Sequence, residues 1–393
     1  MDINRFEKAL LPYEKKLRSQ EKLRRLLGVK EVDRPTYERY ITGSIERFDR
    51  RKNTFSIAMP DNSFGKDIFE RMKKRVGDNS FGPLPAEKLP DTLDRISQSL
   101  SIASWRLCQE WYPQTLPVTP QQGRVEVTDK TWMSRLIKKT ALFMGAEMVR
   151  ITEIDPRWVY QDINISHKYA ILVVVSHATG LNNTAPSHFS AAATAEVYSR
   201  LKFITTQLAD FISGLGYDAA YRETLGGKAE MLIVPMAIDA GIGEFARNGR
   251  VLSPEFGINM RIKAVTTDLP LEPDKPISFG VHDFCMACES CATYCPSGAI
   301  PFGAPTDAPI DIYNNPGYRK WYVNAERCLT WWLSNKKKWT SCGRCISVCP
   351  WNKPLNFHYN ILRWIAIHSP THVKETLVSL DQKLNKRTKR LNK

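Results

Sequence analysis

The sequence predicts a mixed α/β (α+β) chain, in which an α/β sandwich precedes a small module built on cysteines. Three observations carry this expectation. Helical and strand periodicities alternate between about residue 130 and residue 240, the run Tyr169 to Ser176 is almost wholly apolar, and eight of the nine cysteines lie between Cys285 and Cys349.

The chain has 393 residues, 42% of them hydrophobic, which suffices for a large core. Residues 1 to about 60 are rich in Arg, Lys and Glu, with Phe6, Leu10, Leu11, Tyr13 and Leu17 at helical spacing, and predict a helical arm. The stretch from 60 to about 125 is rich in Pro, Gly and Asn and predicts a wrapping segment with short helices such as Leu93 to Leu107. A helix through Trp132, Leu136, Ile137, Thr140 and Leu142 stops at Gly145, and a strand follows over Glu147 to Ile154. Tyr169 to Ser176 is apolar on both faces, as a central strand between helical layers would be. A helix over Ala191 to Ser213 aligns Val197, Leu201, Ile204, Leu208 and Ile212, and Met231 to Ala237 reads as a further strand. Beyond it, Ala240 to Gly249 is glycine-rich: it is either a tight turn or a backbone surface that admits a large ligand, and it lacks the G-x-G-x-x-G spacing of a dinucleotide loop.

No apolar run approaches the ~20 residues that span a bilayer. The N-terminus lacks the apolar stretch and cleavage site of a secretory signal, and Arg50-Arg51 is followed by Lys52-Asn53-Thr54 rather than by an apolar segment. The expectation is a cytoplasmic protein, with the note that a trimmed exported form has the same features. The formal charge of +15 favours anionic partners. Part of it sits at Lys383, Lys386, Arg387, Lys389, Arg390 and Lys393, read as a solvated basic tail, and charge alone does not make a nucleic-acid-binding protein.

Cys285-x₂-Cys288-x₂-Cys291-x₃-Cys295-Pro296 matches the bacterial ferredoxin run, in which the fourth thiolate reaches to a second cluster. Cys342-x₂-Cys345-x₃-Cys349-Pro350 repeats the second half, with Cys328 upstream across 13 residues. Two [4Fe–4S] clusters with crossed ligands are expected: Cys285, Cys288, Cys291 and Cys349 on one, Cys295, Cys328, Cys342 and Cys345 on the other. Structural zinc also uses C-x₂-C pairs, but the interlocked C-x₃-C-P form favours iron–sulfur, and disulfides do not suit a large chain without an export signal. Cys108 is left as a core thiol. Two clusters in series conduct single electrons, so the larger upstream region is expected to hold the acceptor.

The segments Val234 to Gly241, Arg247-Asn248-Gly249, Pro254-Glu255-Phe256-Gly257, Arg261, Thr267 to Ile277 and Phe279-Gly280-Val281 together resemble the corrinoid reductive dehalogenases, over roughly residues 130 to 355. The resemblance implies a nitroreductase-like, cobalamin-binding α/β sandwich over 126–275 and a C-terminal ferredoxin-like module with two [4Fe–4S] clusters over 276–360. A helical or wrapping region (1–125) would precede them and a basic tail (361–393) follow. It implies base-off cobalamin, an organohalide substrate, and electrons passing through the clusters to cobalt. None of the seven histidines sits in a D-x-H-x-x-G motif, as expected for a corrinoid without a protein ligand.

By the same resemblance Arg261 matches the active-site arginine and Tyr198 the proton-donating tyrosine, although Tyr198 also suits a packed helix face. Tyr217 and Tyr221 are lesser candidates, Lys228 is a further polar contact, and the corrinoid is expected against Gly243, Asn248, Gly249 and Ser253. The chain carries no fused reductase, which implies an external low-potential donor such as a ferredoxin or flavodoxin. Two other readings stay open. An epoxyqueuosine reductase acting on tRNA would account for the charge, but only about 44 residues follow Cys349. A non-catalytic corrinoid or electron carrier would need no Arg261. Trp105, Trp111, Trp158, Trp331, Trp332 and Trp339 are available to line an apolar pocket, and no organohalide is singled out.

Overall fold

Tyr169–Ser176 forms a strand, and the sandwich is arranged about it. The computed structural model describes residues 8–58, 65–76, 92–110, 123–334 and 341–384; Phe6, Trp111, Trp339, the basic residues beyond Lys383 and the side chain of Cys108 lie outside what it describes. Four strands make the central sheet: β1 (Met148–Glu153), β2 (Tyr169–Ser176), β3 (Ala219–Arg222) and β4 (Met260–Thr267), ordered β1-β2-β4-β3 and antiparallel throughout.

The two faces of β2 enter two separate cores. Ile171, Val173 and Val175 pack with residues of α1 (Leu11–Leu27), α3 (Lys130–Phe143) and α4 (His188–Gly214), while α2 (Thr92–Glu110) lies over α4. Ala170, Leu172 and Val174 meet Trp158 and α5 (Ile233–Asp239) on the other side. α4 begins in a capping box between Ser187 and Ser190, and buries Val197, Leu201, Ile204, Leu208 and Ile212 as its periodicity predicts. Each such side chain contributes roughly 1.5–3 kcal/mol. Trp158 is a core residue whose indole donates to Asp239 at 3.0 Å.

The structure corrects the reading of Met231 to Ala237 as a strand. Only Met231 bridges, to Val159; the chain then turns into α5, with Pro235 in its first turn, where a missing N–H costs little. Residues 361–384 are likewise not a free tail. They complete α8 (Phe357–His368) and α9 (Thr371–Leu384), which close over the cysteine module formed by α6 (Val281–Cys288), α7 (Ala325–Ser334) and their loops. Gln382 Nε2 donates to Ser290 Oγ at 3.0 Å, and Lys353 pairs with Asp381 at 2.5 Å. Among the described residues, no helix is long and apolar enough to cross a membrane.

Sandwich and module meet at the Pro254-Glu255-Phe256-Gly257 turn. Gly257 has φ +59°, and a Cβ there would lie 2.2 Å from Asn352 Oδ1, the same atom that accepts from Ile258 N at 2.9 Å. Glu255 is buried against Arg24 of α1: Nε to Oε1 is 2.5 Å, Nη2 to Oε2 is 3.3 Å, and Nη1 donates to Gly241 O at 2.8 Å. Replacing Arg24 by Met leaves Glu255 charged and buried, so the iron-loaded chain should lose about 3–5 kcal/mol, read as a lower unfolding midpoint. The double variant Arg24→Met/Glu255→Met should recover most of it; equal midpoints for the single variant and wild type would show the pair to be dispensable.

Tyr37 from the N-terminal segment donates to Asp239 Oδ1 at 2.6 Å. Burial raises Asp239 from its ordinary value of 3.8 to about 7, against the hydrogen bonds from Tyr37 and Trp158. The folded chain therefore holds a proton that the unfolded chain has released between those two values. Stability should fall with rising pH across this window, by up to about 1.4 kcal/mol per pH unit. Asp239→Asn should remove that slope, which unfolding midpoints of both proteins between pH 5 and 8 will test.

Candidate active site

On β4, Arg261 and Lys263 alternate with Met260, Ile262 and Ala264, which belong to the core beneath, so both cations point to the side covered by α4. Lys263 is fully buried; its Nζ is 2.9 Å from Glu223 and 5.6 Å from the Tyr221 ring. Arg261 donates to Met260 O at 3.0 Å, and its guanidinium carbon lies 5.5 Å from the ring centroid of Tyr198. Trp105 of α2 stacks against that tyrosine, with centroids 6.2 Å apart. Burial, and then the charge of Arg250, pulls Arg261 down to about 10, with Tyr198 and Cys345 acting the other way; the guanidinium remains charged at neutral pH.

Three residues of this site went unremarked in the sequence. His177 follows β2 directly, is 2% exposed, and is held well below its usual value by burial and then by Arg261 and Arg250. Arg250 is the second, and it also acts on Cys328. Lys263 is the third. Its signal was available, because two cations two residues apart in an otherwise apolar strand share one face.

Of the other expected residues, Tyr217 belongs to the core and donates to Val125 O at 2.8 Å. Lys228 is exposed, in a loop that packs on residues 54–57. A Cβ on Gly243 would fall 2.0 Å from Leu252 O, and Ser253 Oγ donates to Glu255. Gly249 forms the turn, at φ +76°. Asn248 differs: its Oδ1 accepts from Arg250 N at 3.3 Å, while its buried Nδ2 makes no hydrogen bond.

Cys285, Cys288, Cys291 and Cys349 line one cavity, together with Arg247 and Asn248. Burial pushes Cys285 up to about 12 and Cys291 and Cys349 well above the thiol range, and the neighbouring thiols add to it. Cys328 and Cys342 are raised by burial and then by Cys345 and Cys295, to about 12 for Cys328. Two crossed sets are thus drawn together, and Cys345, in the second, is the cysteine felt by Arg261. Among the described residues no three His, Cys, Asp or Glu side chains are gathered as for a single metal ion; a four-iron cube binds each thiolate to a different iron and spaces them more widely. So many buried thiols suit such a centre, which takes them as thiolates. Nearby donors fit as well: Ala299 N lies 3.3 Å from Cys295 Sγ, and Arg247 donates to Cys285 O at 2.9 Å.

Residues 284–353 match the 4Fe-4S dicluster domain. A tetrachloroethene reductive dehalogenase of Desulfitobacterium hafniense is 30% identical over 297 residues, 62% of this chain and 52% of that protein. The epoxyqueuosine reductase of Bacillus subtilis is 31% identical over 131 residues, but this spans only 30% of this chain and 28% of that protein. The structure of the catabolic reductive dehalogenase NpRdhA superposes with a TM-score of 0.70 at 24% identity, over 93% of this chain and 50% of that one, a likeness of fold. The chain thus spans about half the length of the dehalogenases it matches. Over its dicluster module and the shared fold, the chain is thus similar to the reductive dehalogenases.

Proposed function

We propose that the chain carries out reductive dehalogenation: an organohalide, two electrons and one proton give the C–H product and halide. The observation that carries this reading is Tyr198 beside a buried, charged Arg261, on the side of the sandwich where Cys345 is felt. Tyr198 Oη gives its proton to the carbon, and Arg261 stabilises the negative charge left on the phenolic oxygen. Trp105, stacked on the tyrosine, limits water at the donor. Cobalamin, when bound, supplies a strongly reducing cobalt centre for carbon–halogen cleavage. Asn248, Gly249 and the turns after them are the groups that would hold it, with Asn248 Nδ2 a buried donor left for a ligand. Two [4Fe–4S] clusters deliver the electrons singly, and the set of Cys295, Cys328, Cys342 and Cys345 is the one whose Cys345 acts on the charge of Arg261. An external donor of low potential and acidic surface would complement the +15 charge.

Anaerobic reconstitution with iron, sulfide and cobalamin should give about eight iron and one cobalt per chain, with halide released from an organohalide panel under reductant. Bound clusters without cobalt would overturn the mechanism; turnover of epoxyqueuosine in tRNA with no halide release would replace it. Because the ligands cross, Cys349→Ser should disturb the set led by Cys285, and Cys295→Ser the set led by Cys328. Each should leave about four iron, distinguishable by EPR. Tyr198→Phe should lower kcat by about 10²–10⁴-fold with iron and cobalt content unchanged. Arg261→Met should cost about 10²–10³-fold. Unchanged rates would remove both from the mechanism.

A further inference from the structure

Helix α8 carries an apolar stripe on its solvent side. Phe357, Ile361 and Trp364 recur at i, i+4 and i+7, so they share one face, and they are 73%, 43% and 46% exposed. Leu355, just before the helix, is exposed as well. A contiguous apolar patch of this kind marks a surface that something else covers.

The opposite face of α8 looks onto the first cysteine set. Ala366 packs in one core with Phe284, Cys285 and Trp351, and Arg363 donates to Trp351 O at 3.1 Å, two residues after the crossing ligand Cys349. The stripe therefore stands about one helix diameter, ~10–12 Å, from the residues that hold this set. Apolar area alone would suit a bilayer or a second copy of the chain equally well. Closeness to an electron-transferring centre suits a carrier of electrons.

Charge narrows the carrier further. A Cβ on Gly28, which caps α1, would lie 2.6 Å from His368 Cε1, and the His368 ring stacks on Trp364 with centroids 4.5 Å apart. The last turns of α1, with exposed Lys22, Arg25 and Leu26, thus border the stripe at one end. At the other end Lys353 pairs with Asp381, which brings the close of α9 to the start of α8. No acidic residue occurs between Lys353 and Pro370, nor from Lys383 to the last residue, a stretch with six cations. An apolar centre with a basic border complements an acidic protein that has an apolar centre of its own.

We propose that the outer face of α8, with Lys22 and Arg25 of α1, is the docking surface for an acidic, low-potential one-electron carrier protein, and that electrons enter through the set of Cys285, Cys288, Cys291 and Cys349. This rests on the reading of the two cysteine sets as [4Fe–4S] clusters that feed the site of Arg261. In each encounter the reduced carrier loses one electron and the oxidised cluster gains it, with no bond made or broken; two encounters supply one dehalogenation. The small contact expected of such transient partners fits a single helix face.

The test mixes the chain, loaded anaerobically with iron, sulfide and cobalamin, with reduced flavodoxin in a stopped flow and follows bleaching of the cluster absorbance; dithionite serves as a small reductant that needs no docking surface. Ile361→Ser/Trp364→Ser should lower the second-order rate constant with flavodoxin about tenfold and leave the dithionite rate unchanged. Lys22→Glu/Arg25→Glu should lower it too and flatten its dependence on salt. Phe203→Ser, an exposed apolar residue of α4, should do neither. Flavodoxin rates and salt dependence equal to wild type in both double variants overturn the inference, as does an equal slowing with dithionite, which would place the change in the clusters. Binding to phosphatidylglycerol vesicles, or a dimer in solution, that is lost in Ile361→Ser/Trp364→Ser while its flavodoxin rate stays that of wild type would give the face to a bilayer or a second copy and overturn it likewise. A wild-type chain reduced by flavodoxin, with the expected losses in the variants but no halide released from any organohalide, would uphold this surface and overturn the dehalogenase reading alone.

Discussion

The constraint on which the rest depends is the crossing of the cysteine ligands. Cys349 joins the set of Cys285, Cys288 and Cys291, and Cys295 joins that of Cys328, Cys342 and Cys345. Neither set can be completed by a contiguous stretch, so segments more than forty residues apart must dock before either is whole. Buried thiols are raised far above their ordinary range until a metal centre takes them as thiolates. α8 and α9 close over these cysteines from outside, with Arg363 of α8 donating to Trp351 O at 3.1 Å.

The sandwich is fastened to that module by charged groups reaching backbone oxygens. Arg247, wholly buried, donates to Cys285 O, Pro301 O and Gly303 O and stacks 4.7 Å from Trp321; Arg344 reaches Ala185 O just before α4. Such bonds have direction, unlike apolar contact, and so fix how the ends of β4 and α4 stand relative to the cysteines. Arg24 does the same from the far side, through Glu255. The N-terminal helix is thereby part of the frame that holds the Pro254 to Gly257 turn, although it lies more than two hundred residues away in sequence.

What was legible in the sequence follows from how local each signal was. The helix over Ala191 to Ser213 and the strand over Tyr169 to Ser176 were readable because their periodicities are long and uninterrupted. The C-x₂-C-x₂-C-x₃-C-P run was readable because cluster chemistry fixes its spacing. β4 was hidden, since Arg261, Lys263 and two threonines break its apolar character, and only pairing with β2 and burial by α4 make it a core strand. Met231 to Ala237 misled for the opposite reason: its Ile and Val have strand propensity, but after a single bridge the second core takes the segment as a helix. The wholly antiparallel sheet could not be read from alternating elements, which are equally compatible with parallel crossovers. Placing Tyr198 beside Arg261 required the resemblance, and no local pattern joins a residue of α4 to one sixty positions later.

The contrast between the two cations of β4 explains how one strand serves both packing and chemistry. Lys263 is neutralised by Glu223 and belongs to the fold. Arg261, two residues earlier, has no carboxylate partner among the described residues; burial lowers its affinity for the proton without removing its charge. An unpaired buried cation is expensive, and removing its countercharge typically costs several kcal/mol. Its remaining counterparts are the Tyr198 ring, electron-rich on its face, and the cysteine Cys345, an anion once it ligates metal. A site so poised lowers the free energy of any negative charge formed beside it, whether on a phenolic oxygen or on a departing halide. The same lack of compensation that weakens the resting fold is thus the property the proposed reaction draws on.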